Sequence, residues 1–66
     1  MPIGTVIEFD PGRGLGAVAT PDGATYPFHC AEITDGTRAI DVGSPVRFAL
    51  RARFGRYEAG AVDKIG

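Results

Sequence analysis

The chain has 66 residues and a net charge of −1, with seven basic side chains interleaved among eight acidic ones. That length makes a single domain, 1–66, burying only about 60% of the surface its unfolded form exposes, and the balanced charge sets up no global field toward nucleic acid or membrane. The lone Cys30 excludes an internal disulfide, and the chain shows neither a long apolar segment nor a signal-like N-terminus, a pattern that predicts a soluble, reducing, cytoplasmic setting with no membrane partner.

Ile3 to Asp10 is rich in β-branched residues and reads as a first strand. Ile3, Thr5, Ile7 and Phe9 alternate against Gly4, Val6, Glu8 and Asp10, but Val6 interrupts the polarity and leaves the facing open. Pro11-Gly12 stops the strand. Gly12, Gly14 and Gly16 then alternate with other residues, which predicts a tight connection and a close-packed strand start. A phosphate-cradling loop is excluded, because neither a Lys-Ser/Thr pair nor a following helix is present.

Leu15 to Thr20 is the second strand, ended by the turn signal Thr20-Pro21-Asp22-Gly23. Thr25 to Cys30 is the third, with Tyr26 and Phe28 on one face and Thr25, Pro27 and His29 on the other. Pro27 has no N–H for a ladder, which confines it to an edge, a strand end or a bulge. Ala31-Glu32-Ile33 suits one helical turn, and Asp35 to Arg38 and Asp41 to Pro45 are loops. From Val46 the alternation is clean: Val46, Phe48, Leu50 and Ala52 face one way, and Arg47, Ala49, Arg51 and Arg53 the other. Val46, Phe48 and Leu50 are therefore expected to be buried, and Arg47 and Arg51 exposed. Phe54-Gly55-Arg56 turns the chain into a last strand, Tyr57 to Ile65. Five short strands, ten glycines and no helical periodicity predict a small all-β barrel or sandwich.

The chemistry-bearing residues are sparse. His29 and Cys30 are adjacent, but one His and one Cys cannot complete a tetrahedral zinc site, so no metal and no cofactor is expected. Ser44 sits beside Pro45, Cys30 has no second histidine, and no base oriented by a third group is visible; the chain is not expected to be an enzyme. His29 reads either as the surface end of a strand or as a base contact, and Cys30 as a small buried hydrophobe. Arg47, Arg51, Arg53 and Arg56 read either as an ordinary solvated face or, flanked by Phe54 and Tyr57, as a patch for phosphates and bases.

The order of these parts resembles the cold-shock domain. The blocks that carry the resemblance are Gly4-Thr5-Val6-Ile7-Glu8-Phe9-Asp10, Arg13-Gly14-Leu15-Gly16-Ala17-Val18, the run from Thr25 to Ile33, Gly43-Ser44-Pro45-Val46-Arg47-Phe48, and Glu58-Ala59-Gly60-Ala61-Val62. They keep the family's spacing, with about one residue missing from the middle loop. The resemblance implies a five-stranded antiparallel barrel of the oligonucleotide-binding (OB) type. It also implies that single-stranded DNA or RNA binds across the first three strands, where a row of aromatic rings stacks on bases.

Position by position, most of that row is replaced. Glu8 stands where the family has tryptophan and Ile7 where it has lysine. Leu15, Ala17, Pro27 and Cys30 stand in place of phenylalanines, and Thr37 falls near the loop aromatic. His29 keeps its type and Arg13 stands in for lysine. Each stacked base is worth about 1–3 kcal/mol, so losing three positions forfeits roughly 3–9 kcal/mol. The expectation is a monomeric single-stranded nucleic-acid-binding module, weakened or altered. Arg13, Leu15, His29, Phe54, Arg56 and Tyr57 are its candidate contacts, and Leu15, Ala17 and Pro27 should point outward near His29. The alternative is an OB module for protein interaction that has lost nucleic-acid binding, using the small apolar patch left by Leu15, Ala17, Pro27 and Cys30.

Overall fold

A computed structural model describes residues 2–66. Five strands form one antiparallel sheet: β1 (Ile3–Asp10), β2 (Leu15–Ala19), β3 (Thr25–His29), β4 (Pro45–Arg53) and β5 (Arg56–Lys64). Their hydrogen-bonded order is β3-β2-β1-β4-β5, and a single 3₁₀ turn, Cys30–Glu32, follows β3. The sheet curls until β3 lies against β5, but no ladder joins those two edges. The barrel closes by packing and by one bridge, Ile33 to Val62, beside which the Thr34 N–H donates to the Val62 carbonyl at 2.9 Å.

Two bulges set which side chains enter the core. Val6 pairs with Val18 and Glu8 with Ala17, so Ile7 is an extra residue on β1. Ahead of it the even positions, Gly4 and Val6, point inward; behind it Phe9 does, and Glu8 and Asp10 point out. This resolves the facing that the sequence left open. On β5, Ala61 and Val62 together oppose Phe48, because Arg47 pairs with Asp63 and Ala49 with Gly60. Ala61 takes a φ of 47°, rare for a side-chain-bearing residue, and its N–H donates to Glu32 Oε1 at 3.0 Å. The carboxylate of the 3₁₀ turn thus supplies a partner for an amide that the bulge takes out of the ladder.

The core consists of Val6, Val18, Phe28, Ile33, Ile40, Val46, Phe48, Ala59 and Val62. Phe9 stacks on Phe28 with ring centres 6.1 Å apart, and Tyr26 tilts against Phe48 at 5.7 Å. Gly16 makes room for the first pair, since a Cβ there would lie 2.6 Å from Phe28 Cζ. Gly14 has a φ of 68° and packs against Cys30, which is half-buried against the core.

Leu50 corrects the expectation of burial: it is 45% exposed, although Val46 and Phe48 are fully buried and Arg47 and Arg51 exposed as the alternation predicts. The cause is the length of the neighbouring strand. β1 pairs with β4 only from Pro45 to Arg47, so among the described residues no strand flanks β4 on that side beyond Ala49 and the β4–β5 hairpin projects from the sheet. The hairpin turn is also one residue tighter than expected. Phe54 and Gly55, with φ of 50° and 80°, make a two-residue connection whose handedness matches the twist of the strands, and Arg56 already belongs to β5.

Pro27 sits on the edge strand β3. Thr20 donates to Ala24 at one end of the β2–β3 pair and Cys30 donates to Gly14 at the other. Pairs alternate between hydrogen-bonded and non-hydrogen-bonded along an antiparallel ladder. Counting inward makes Gly16 with Phe28 a hydrogen-bonded pair, and Ala17 with Pro27 a non-bonded one. The proline nitrogen therefore faces away from β2, where it removes no bond from the sheet.

Candidate functional site

A cleft of about 600 Å³ opens between the outer face of β1, β2 and β3 and the projecting β4–β5 hairpin. Its floor follows from the strand registers. Leu15 lies opposite His29, and Ala17 opposite Pro27, both at non-bonded positions where facing side chains come closest. All four line the cleft, as does Glu8, which lies opposite Ala17 on β1.

The opposite wall is basic but internally neutralised. Arg51, Arg53 and Arg56 line it together with Glu32 and Glu58. Arg51 reaches Glu32 at 3.6 Å, while Arg53 and Arg56 each reach Glu58 at 3.9 Å, one to each oxygen. These long, half-exposed contacts are worth little in water, so the arginines can be released. Glu8 has no ion pair and no side-chain hydrogen bond among the described residues.

The six residues singled out from the sequence divide. Leu15, His29 and Arg56 come together in the cleft. Arg13 lies exposed in the β1–β2 turn, its N–H donating to the Asp10 carbonyl at 3.2 Å. Phe54, fully exposed at the tip, and Tyr57 lie on the hairpin outside the cleft lining. His29 also serves the local backbone. Its Nδ1 accepts the Ala31 N–H at 3.0 Å and caps the 3₁₀ turn, which leaves Nε2 for any other partner. Arg51 and Arg53, which the sequence left open between a solvated face and a phosphate patch and which were not among the six candidate contacts, belong to the cleft wall. Only the curl of the hairpin over β2 and β3 brings them there.

Among the described residues no group of three His, Cys, Asp or Glu side chains could hold a metal ion. The perturbed carboxyls lie elsewhere. Asp35 is pulled down to about 2 by its bond to Lys64, with the N–H and hydroxyl of Thr37 adding to it. Asp63 is lowered by Arg47 at 2.9 Å and by the Thr34 hydroxyl. Both pairs tie loop and strand ends together, away from the cleft.

No family model matches the chain, and no curated protein does. Among solved structures, the Drosophila Unr cold-shock domains 4–6 superpose over 98% of the chain with a TM-score of 0.81 at 24% identity. The fold is that of a cold-shock domain. The chain spans 26% of that Unr structure. On this cold-shock fold, the outer face of β1 to β3 carries Glu8, Leu15, Ala17, Pro27 and His29, with the imidazole as the one aromatic ring among them.

Proposed function

We propose that the chain is a single-stranded nucleic-acid-binding module whose affinity is low. The observation that carries this reading is the cleft itself, an apolar floor of Leu15, Ala17 and Pro27 with His29 beside it, facing a wall of three arginines. Bases lie over the floor, where apolar contact and the imidazole face replace a run of aromatic rings. Phosphates are drawn to Arg51, Arg53 and Arg56, which exchange Glu32 and Glu58 for them. Because each arginine gives up a carboxylate to gain a phosphate, the net electrostatic gain is small. Affinity is expected in the micromolar range or weaker.

Titration with oligo-dT and a mixed-sequence RNA at several salt concentrations tests this. Each neutralised phosphate contributes a slope of about −0.7 on single strands, so two or three contacts give roughly −1.4 to −2.1. Nanomolar binding at moderate salt would show that another surface supplies the stacking. Complete absence of binding at low salt would favour the protein-interaction alternative, for which the exposed Leu50, Phe54 and Tyr57 of the hairpin are the supporting observation.

A further inference from the structure

Two rows of side chains cross the outer face of β1, β2 and β3. Pro27, Ala17 and Glu8 form one, and His29, Leu15 and Asp10 the other. Neighbours within a row are about 5 Å apart, and the rows are separated by two residues, about 7 Å along the strands. An extended single strand can place one base over each row at that spacing. Both rows end on β1 in a carboxylate, but the two carboxylates differ. Asp10 Oδ1 accepts the Gly12 N–H at 3.0 Å and is occupied by its own turn. Glu8 is exposed, lines the cleft and has no partner among the described residues, whereas the other cleft acids, Glu32 and Glu58, hold arginines.

Resting on the nucleic-acid reading above, we infer that Glu8 reads the base, selecting guanine against thymine and uracil. Phosphates are attracted to the arginine wall and repelled by Glu8, so the group that reaches Glu8 is a base edge. An ionised carboxylate only accepts hydrogen bonds. Guanine presents N1–H and N2–H₂ side by side, two parallel donors for two oxygens. Cytosine and adenine each offer one amino group. Thymine and uracil offer a single N–H flanked by two carbonyl oxygens, which the carboxylate repels.

The test is fluorescence anisotropy on the full chain with four labelled DNA octamers: oligo-dT and thymine alternating with guanine, cytosine or adenine. The wild type should bind the guanine octamer at least about tenfold tighter than oligo-dT, the scale of a good bidentate contact to a base edge. Glu8→Ala should erase that preference and tighten oligo-dT. Glu8→Gln should move the preference toward adenine, whose donor and acceptor match an amide. A purely electrostatic role would instead relieve all four octamers equally in both variants. Binding without a guanine preference, or a preference that survives Glu8→Ala in a folded variant, overturns the inference and leaves the binding function standing. Failure of the wild type to bind any of the four overturns both.

Discussion

The Arg51 side chain lies flat across Gly60, filling the space that a Cβ at position 60 would need. The two residues sit diagonally on neighbouring strands, since Arg51 pairs with Glu58 and Ala49 with Gly60. The glycine is a bed that aims the guanidinium at Glu32 and at the cleft. Gly60→Ala should therefore leave the protein folded but lift Arg51 out of place. The salt slope of oligonucleotide binding should become shallower by about 0.7, the share of one phosphate contact. An unchanged slope would mean that Arg51 does not meet the ligand.

Glu58 holds two arginines at once, so it limits what the wall offers to a phosphate. Glu58→Gln should tighten oligonucleotide binding at least about threefold at low salt and steepen the salt dependence, the usual signature of a rim charge. Equal affinity for variant and wild type across the salt range would count against the arginine wall as the phosphate site.

Phe48 and Leu50 share a strand face but not a fate. Phe48 is fully buried, and truncating a buried Phe to Ala costs about 3–5 kcal/mol. A core this small rarely supplies more than about 3–5 kcal/mol in total. Phe48→Ala should be unfolded at 25 °C by circular dichroism, while Leu50→Ala should lose less than about 1 kcal/mol in urea titration.

Acid should loosen the junction between the middle loop and the end of β5. The folded Asp35 carboxyl lies at about 2 against an ordinary 3.8, held down by Lys64 and Thr37. A depressed carboxyl contributes stability above its unfolded value and loses it as pH falls through the folded one. The wild-type melting temperature should thus fall between about pH 4 and pH 2 more steeply than that of Asp35→Asn. Parallel curves for the two proteins in that window would remove Asp35 from the account.

The floor of the cleft can be rebuilt for stacking. Leu15 and Pro27 are exposed and Ala17 half-exposed, all three lining the cleft, so rings added there meet open space and not packed atoms. Leu15→Phe, Ala17→Phe and Pro27→Phe together should fold and bind oligo-dT at least tenfold tighter. Even half of the lower stacking worth at three positions is about 1.5 kcal/mol, which corresponds to that factor. A folded triple variant with unchanged affinity would show that the hairpin blocks the face.

Strand positions were legible wherever one physical signal dominated. The alternation after Pro45 located β4, and the turn residues between Thr20 and Gly23 located the second hairpin, because period and punctuation are local properties. What depends on a partner strand was not. The bulge at Ile7 leaves only the broken polarity around Val6, and the one on β5 puts its positive φ on Ala61 and not on the neighbouring Gly60. The exposure of Leu50 is decided by where β1 stops pairing, at the far end of the chain from Leu50's own neighbours in sequence. The outward facing of Leu15, Ala17 and Pro27 was an implication of the cold-shock resemblance, not of periodicity, while the arginine wall opposite them needed the curl of the hairpin. The pairing of Glu58 with both Arg53 and Arg56 needed the register of β4 against β5.

The outward-facing nitrogen of Pro27 has a consequence for how the molecule behaves among its own kind. A bare strand edge recruits extended segments from other molecules by offering an uninterrupted row of donors and acceptors. On β3 that row is broken at its centre, so an incoming segment finds no register in which to lock. Concentrated solutions should therefore resist fibril growth seeded along β3. Replacing Pro27 by valine, which restores the missing N–H and adds β-propensity, should shorten the lag before thioflavin-positive aggregates form.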